Sequence, residues 1–254
     1  MLLLLFLGQA VFASYISLDT TVTSKVEKNE LKVLLEAVNK GDESAYNVQA
    51  EIRAGDDKFL AQRRPELGID QTYKAYATFK LGRKKPGQYP LVLVMHYTDA
   101  NQYPFSAMTC QTYSSQAEDL PSEIFGRIKS KTFWKEGRAK LTLKNMGDSE
   151  IAATTYLVVP REITVAGGPQ KVTLLPKSQK SLDFPVENFS ALSGSNYQIF
   201  AIAEYEKQGM HQTSISPGMI RIVEKNFFRD YRVFIVALVA FLLAAFILLQ
   251  RKKK

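Results

Sequence analysis

The chain has 254 residues, 46% hydrophobic, 23% charged and 11% aromatic, with a formal net charge of +8. Arg251, Lys252, Lys253 and Lys254 carry half of that charge, so the remainder is mildly basic and the pI of about 9.4 is no argument for a nucleic-acid partner. The single cysteine, Cys110, excludes an intrachain disulfide, which in an exported chain of this size favours a prokaryotic envelope over an animal cell surface.

Residues 1–13, MLLLLFLGQAVFA, form an apolar run that closes on small residues, with Val11 and Ala13 at the −3 and −1 positions of a cleavage site. No Lys or Arg precedes it, but a dozen apolar residues are too few to cross roughly 30 Å of hydrocarbon, so a cleavable signal peptide is the expectation.

Residues 14–123 are expected to form a first β-module. Period-2 alternation from Leu31 to Val38 runs into the turn Asn39-Lys40-Gly41-Asp42, and a late apolar strand follows Gly87-Gln88-Tyr89 as far as Tyr97. Gly55-Asp56-Asp57 and Arg83-Lys84-Lys85-Pro86-Gly87 punctuate it. Arg63, Arg64, Arg83, Lys84 and Lys85 fall in expected loops and are the candidate surface contacts, suited to anionic glycans, lipid headgroups or an acidic protein. Tyr103, Phe105 and Tyr113, near Met108 and Cys110, suit either a partner-binding edge or packing at a domain junction. The stretch from Glu118 to Ile128 reads as a link between modules.

Residues 124–225 repeat the pattern. Lys140 to Leu143 alternates into Asn145-Met146-Gly147-Asp148, and Gly194 precedes a strand holding Tyr197 and Tyr205. The two Asn-x-Gly-Asp turns are offset by 106 positions and the two tyrosine pairs by 108, so the chain is an internal duplication. About 100 residues per copy, with strands about every ten, is the rhythm of an immunoglobulin-like sandwich. Gly41 and Gly147 are expected to supply a positive φ at the turns, while the Asn and Asp side chains bond nearby amides. Tyr97 and Tyr205 are expected to tie down loops through their hydroxyls.

Asn39, Gly41, Asp42 and Ala45 with Gly87, Tyr89 and Tyr97, and Asn145, Gly147, Asp148, Gly194, Tyr197 and Tyr205 in the second copy, carry a resemblance. The pattern resembles the bacterial and archaeal Ig-like modules of the CARDB and NEW3 type. That resemblance implies a spacer, adhesion or assembly role and no common catalytic residue.

Residues 233–249 are apolar and free of charge, Pro and Gly, with Phe227, Phe228 and Tyr231 before them and the 250–254 tail after. The expectation is a C-terminal transmembrane helix whose basic tail, Arg251 to Lys254, stays cytoplasmic and touches anionic lipid headgroups.

No chemistry-bearing constellation is legible. His96 and His211 fall in different copies, no metal-ligand spacing or phosphate loop occurs, and no D-x-D-x-D run suggests calcium. Cys110 reads as a buried structural thiol. No catalytic, cofactor-binding or metal-ligating residue is therefore assigned. The fold expected is all-β, two tandem immunoglobulin-like sandwiches plus one C-terminal transmembrane helix. The function expected is that of a non-enzymatic, single-pass envelope protein whose extracytoplasmic domains bind or scaffold another envelope protein or a surface glycan. The alternatives are an accessory subunit of a transport or secretion complex and, more remotely, an envelope glycan hydrolase.

Overall fold

The structure, a computed structural model, describes residues 15–82, 85–117, 121–224, 231, 233, 234, 236–238, 241 and 242. The segment 1–13, expected to be a signal peptide, Arg83, Lys84 and the tail from Arg251 to Lys254 lie outside the described residues.

Strands dominate. The first half holds β1 (Leu18–Glu27), β2 (Glu30–Asn39), β3 (Ala45–Ala54), β4 (Asp57–Leu60), β5 (Arg64–Leu67), β6 (Thr72–Lys80), β7 (Gly87–Thr98) and β8 (Pro104–Ser115). The second half follows with β9 (Ile124–Ser130), β10 (Glu136–Asn145), β11 (Ile151–Val158), β12 (Ile163–Val165), β13 (Gln170–Leu174), β14 (Gln179–Asn188), β15 (Asn196–Lys207) and β16 (Met210–Arg221). Two-residue hairpins close β1–β2 and β15–β16. Lys28 and Asn29, and Gln208 and Gly209, all take positive φ, the backbone twist that matches paired strands.

One three-stranded sheet runs β1-β2-β6 and a four-stranded sheet runs β12-β14-β10-β9. The remaining strands form one nine-stranded sheet, β13-β11-β15-β16-β7-β3-β4, with β5 on β3 and β8 on β7. Alternation along β2 sends Leu31, Val33 and Leu35 inward against Ile52, Leu91 and Leu93, which builds the first apolar core. In the second half Leu141, Leu143 and Phe184 meet Ile199, Ala201 and Ala203 in a separate core. Each fully buried aliphatic or aromatic side chain contributes about 1.5–3 kcal/mol to holding the layers together.

The halves join through a third apolar cluster. Val92, Val94 and Met108 from one half pack on Val158, Phe200 and Ile202 from the other, with Cys110, Tyr156 and Ile215 at its margin. Residues 91–95 and 199–203 are therefore apolar on both faces, because one face meets its own core and the other meets the neighbouring half. At one edge of this junction β16 and β7 touch as a parallel bridge, His211 opposite Gly87. A Cβ on Gly87 would run into the His211 carbonyl oxygen, so only glycine permits that approach.

Gly41 and Gly147 are absent from the positive-φ residues, contrary to the expectation for both turns. They serve close approach instead: a Cβ at Gly41 would strike the Tyr15 carbonyl oxygen, and one at Gly147 would strike the Glu123 carboxylate. The expected link around Glu118 to Ile128 turns out to contain β9, which begins at Ile124.

The C-terminal helix needs correction. Within 233–249 the described residues Val233, Phe234, 236–238, Phe241 and Leu242 are helical and exposed. A span requires about 20 contiguous apolar residues, and no helix among the described residues is long and apolar enough to cross a membrane. That finding overturns the expected transmembrane helix and, with it, the single-pass localisation.

Candidate functional site

The outward face of β9, β10 and β14 is the most distinctive surface of the described residues. On β9, Gly126 and Ile128 face the core while Phe125, Arg127 and Lys129 alternate outward; on β10, Arg138, Lys140 and Lys144 do the same. Antiparallel register sets these side chains in rows. Lys144 stands opposite Phe125, Thr142 opposite Arg127, and Lys140 opposite Lys129. On the other side of β10 the same rows continue to Gln179, Ser181 and Asp183 of β14. Thr142 and Ser181 join their hydroxyls at 2.9 Å.

Among the described residues, none of Arg127, Lys129, Lys131, Arg138, Lys140 and Lys144 is held in an ion pair. The equivalent face of the first half behaves differently: Lys25 and Lys32 share Glu27, and Lys74 pairs with Glu36. Like charges directly opposite on a ladder cost stability, so the Lys129–Lys140 row is an arrangement that folding alone does not favour. At one end of the face a groove of about 880 Å3 is lined by Lys129, Lys131, Arg138 and Lys140 together with Glu136, Asp183 and Glu187. A smaller one of about 560 Å3 lies beside Phe125, Lys129 and Lys144. Phe125, near the start of the edge strand β9, is 66% exposed.

Two polar clusters flank the junction between the halves. At one end, His96 lies with Nε2 3.3 Å from the Glu51 carboxylate and Nδ1 3.4 Å from the Ser106 hydroxyl. The Ser106 hydroxyl donates to Glu162 at 3.1 Å across the boundary between the halves. Burial lowers the His96 pKa from its usual value and raises that of Glu162. Burial also raises Glu51, but hydrogen bonds from Lys58, Arg53 and His96, with the Arg53 charge, outweigh it and bring the carboxyl to about 2. At the other end, His211 meets Glu204 at 2.9 Å, Tyr156 donates to the same carboxylate at 2.9 Å, and the His211 ring stacks on Tyr89 at 4.3 Å. The two histidines, which fall in different copies, lie in separate clusters at opposite ends of the junction.

The sequence-based contact residues fare unevenly. Arg64 is committed to local structure, donating to the Glu66 and Thr72 carbonyls and to the Gln71 side chain. Arg63 donates to Gln49 at 3.3 Å. Lys85 bridges the halves through Glu206 at 2.6 Å. Cys110 is half-buried and its thiol is pushed up to about 12 by burial. Tyr205 ties a loop as expected, accepting the Glu123 amide at 2.9 Å, whereas Tyr97 stacks on Phe105 at 5.6 Å. No group of three or more metal-ligating side chains occurs among the described residues.

No known protein family matches the sequence, and no curated protein matches it. Likenesses among solved structures are distant. A Salmonella alpha-2-macroglobulin mutant aligns at 12% identity over 82% of this chain and 16% of its own, with a TM-score of 0.35. Red sea bream transglutaminase aligns at 10% identity over 83% of this chain and 31% of its own, TM-score 0.29. A Porphyromonas gingivalis W83 protein of unknown function aligns at 13% identity over 80% of this chain and 99% of its own, TM-score 0.31. The chain spans 16% of the length of the Salmonella macroglobulin it matches.

Proposed function

We propose that the chain is a non-enzymatic recognition and scaffolding element that binds another component of the cell envelope. The observation that carries this reading is the apolar junction: Val92, Val94 and Met108 against Val158, Phe200 and Ile202 fix the two halves as one piece. A rigid pair of sandwiches presents two sheet faces at a set spacing, which suits holding a partner. The Ser106-His96-Glu51 contacts fit this reading, since the Ser106 hydroxyl is spent on Glu162 and Glu51 on Arg53 and Lys58.

Crosslinking of the tagged full chain in intact envelopes of its source cell, read by mass spectrometry, tests the proposal. Crosslinks from both halves to one and the same partner are the expected result. Crosslinks from neither half, or turnover of an envelope substrate by the purified chain, would overturn it.

A further inference from the structure

We propose that the outward face of β9, β10 and β14 is a binding site for an acidic polysaccharide. The proposal rests on the recognition reading above and names its site and ligand class. Three features carry it. First, Arg127, Lys129, Arg138, Lys140 and Lys144 lie exposed on two paired strands with no ion pair among the described residues, and Lys129 directly faces Lys140. Side chains on one strand face repeat at about 7 Å and neighbouring strands lie about 4.8 Å apart, so the cations form a close two-dimensional array that a polyanion neutralises.

Second, the groove that crosses this array is also lined by carboxylates, Glu136, Asp183 and Glu187. Those acids call for hydrogen-bond donors placed beside the anions, which the phosphate backbone of DNA and a run of acidic side chains do not carry in each repeat. A polysaccharide bearing carboxylates offers both partners at once: its anions meet the lysines and its hydroxyls donate to the acids. Third, Phe125 stands exposed beside Lys144, and its ring offers an apolar face against which the C–H face of a sugar can lie.

Binding of the full chain to polygalacturonate, a polymer of uronic acid, is the direct test, with neutral dextran, polyglutamate and a single-stranded oligonucleotide as comparisons. Retention on polygalacturonate above all three is expected. Lys129→Glu combined with Lys140→Glu is expected to weaken it at least about tenfold, and Lys28→Glu, in the exposed β1–β2 hairpin, to leave it unchanged. Melting curves confirm that each variant is folded. Equal binding of polyglutamate or the oligonucleotide reduces the face to a general polyanion patch and overturns the proposal. So does a folded wild-type chain that ignores polygalacturonate, or binding indifferent to the double charge reversal. A chain that ignores the polymer yet crosslinks to an envelope partner through both halves fails this proposal alone.

Discussion

Asn39 and Asn145, 106 positions apart, fill the same buried corner in the two halves. Each side chain is fully buried, each accepts the amide of the glycine two residues on, and each donates forward to the carbonyl of Glu43 or Ser149. Each also donates across to a neighbouring strand, at Leu67 or Leu174. One amide group therefore closes a turn and staples it to the next layer.

Replacing either residue by Ala leaves several buried backbone groups without partners, each worth about 1–3 kcal/mol when stranded. Asn145→Ala and Asn39→Ala are expected to destabilise by roughly 2–4 kcal/mol each, read from urea unfolding. Asn→Asp is expected to be nearly as damaging, because the carboxylate cannot donate to Leu67 or Leu174. A variant that unfolds with the wild-type midpoint would show that the corner is held by backbone alone.

Gly147 and Gly194 resist substitution for different causes. Gly147→Ala must displace the Glu123 carboxylate, which also pairs with Lys207, although the backbone itself is unstrained. Gly194, in contrast, has φ 84° and open space around it. Gly194→Ala is expected to cost about 1 kcal/mol through strain alone, with Gly194→Asn milder because Asn tolerates that conformation. Gly147→Ala and Gly147→Asn are expected to be equally harmful, since both carry a Cβ. Thermal melts of the four variants check the distinction.

Glu51 makes acid stability depend on one buried cluster. Its carboxyl sits at about 2 in the folded chain against an ordinary value of 4.5. Because the folded value is the lower one, its contribution is complete above the unfolded value and is lost as pH falls from about 4.5 towards 2. The shift corresponds to on the order of 3 kcal/mol. Glu51→Gln is expected to flatten stability over that window and to lower it at neutral pH, where Arg53 and Lys58 lose their partner. Glu162 acts with the opposite sign. Burial raises its pKa, so the folded chain gains stability as pH falls through that raised value, and Glu162→Gln is expected to remove this gain. Unfolding at stepped pH resolves the two windows.

Much of this architecture was legible in the sequence because specific positions demand specific residues. Asn39 and Asn145 stand out because only a side chain with both donor and acceptor can close that corner, and the duplication followed from them. The junction left a quieter trace: Leu91-Val92-Leu93-Val94-Met95 and Ile199-Phe200-Ala201-Ile202-Ala203 are too continuously apolar for strands with one wet face. The basic face was also visible as alternation in Arg127-Ile128-Lys129 and Arg138-Ala139-Lys140, but its meaning was not. Which cations oppose one another depends on the register between β9 and β10, and register is a pairing property that neither strand carries alone. The surroundings of Arg64 were hidden for a similar reason, since the carbonyls that it donates to become neighbours only on folding.

The junction makes Cys110 a reporter of how firmly the halves hold together. With its thiol raised to about 12 by burial, the thiolate at pH 8 is roughly a thousandfold scarcer than for an ordinary thiol near 9. Labelling in the folded chain is expected to be slower than in urea by at least that ratio. Phe200→Ala removes a ring from the centre of the cluster, at an expected cost of about 3–5 kcal/mol, and is expected to speed labelling before global unfolding. Labelling that stays slow until the whole chain melts would mean that the two halves unfold as one unit.

Lys129 offers a test in which stability and binding move in opposite directions. It faces Lys140 across the ladder, with Asp183 on the far side of Lys140, so Lys129→Glu converts a repulsive pair into an attractive one. Cross-strand pairs of this kind contribute roughly 0.2–1 kcal/mol, and the variant is expected to melt at or slightly above the wild-type temperature. Binding to polygalacturonate is expected to fall at the same time. A residue kept only for the fold would show the reverse pattern, with stability lost and binding untouched. A gain in stability with a loss of binding is the outcome expected where a surface keeps a locally unfavourable charge because its ligand neutralises it.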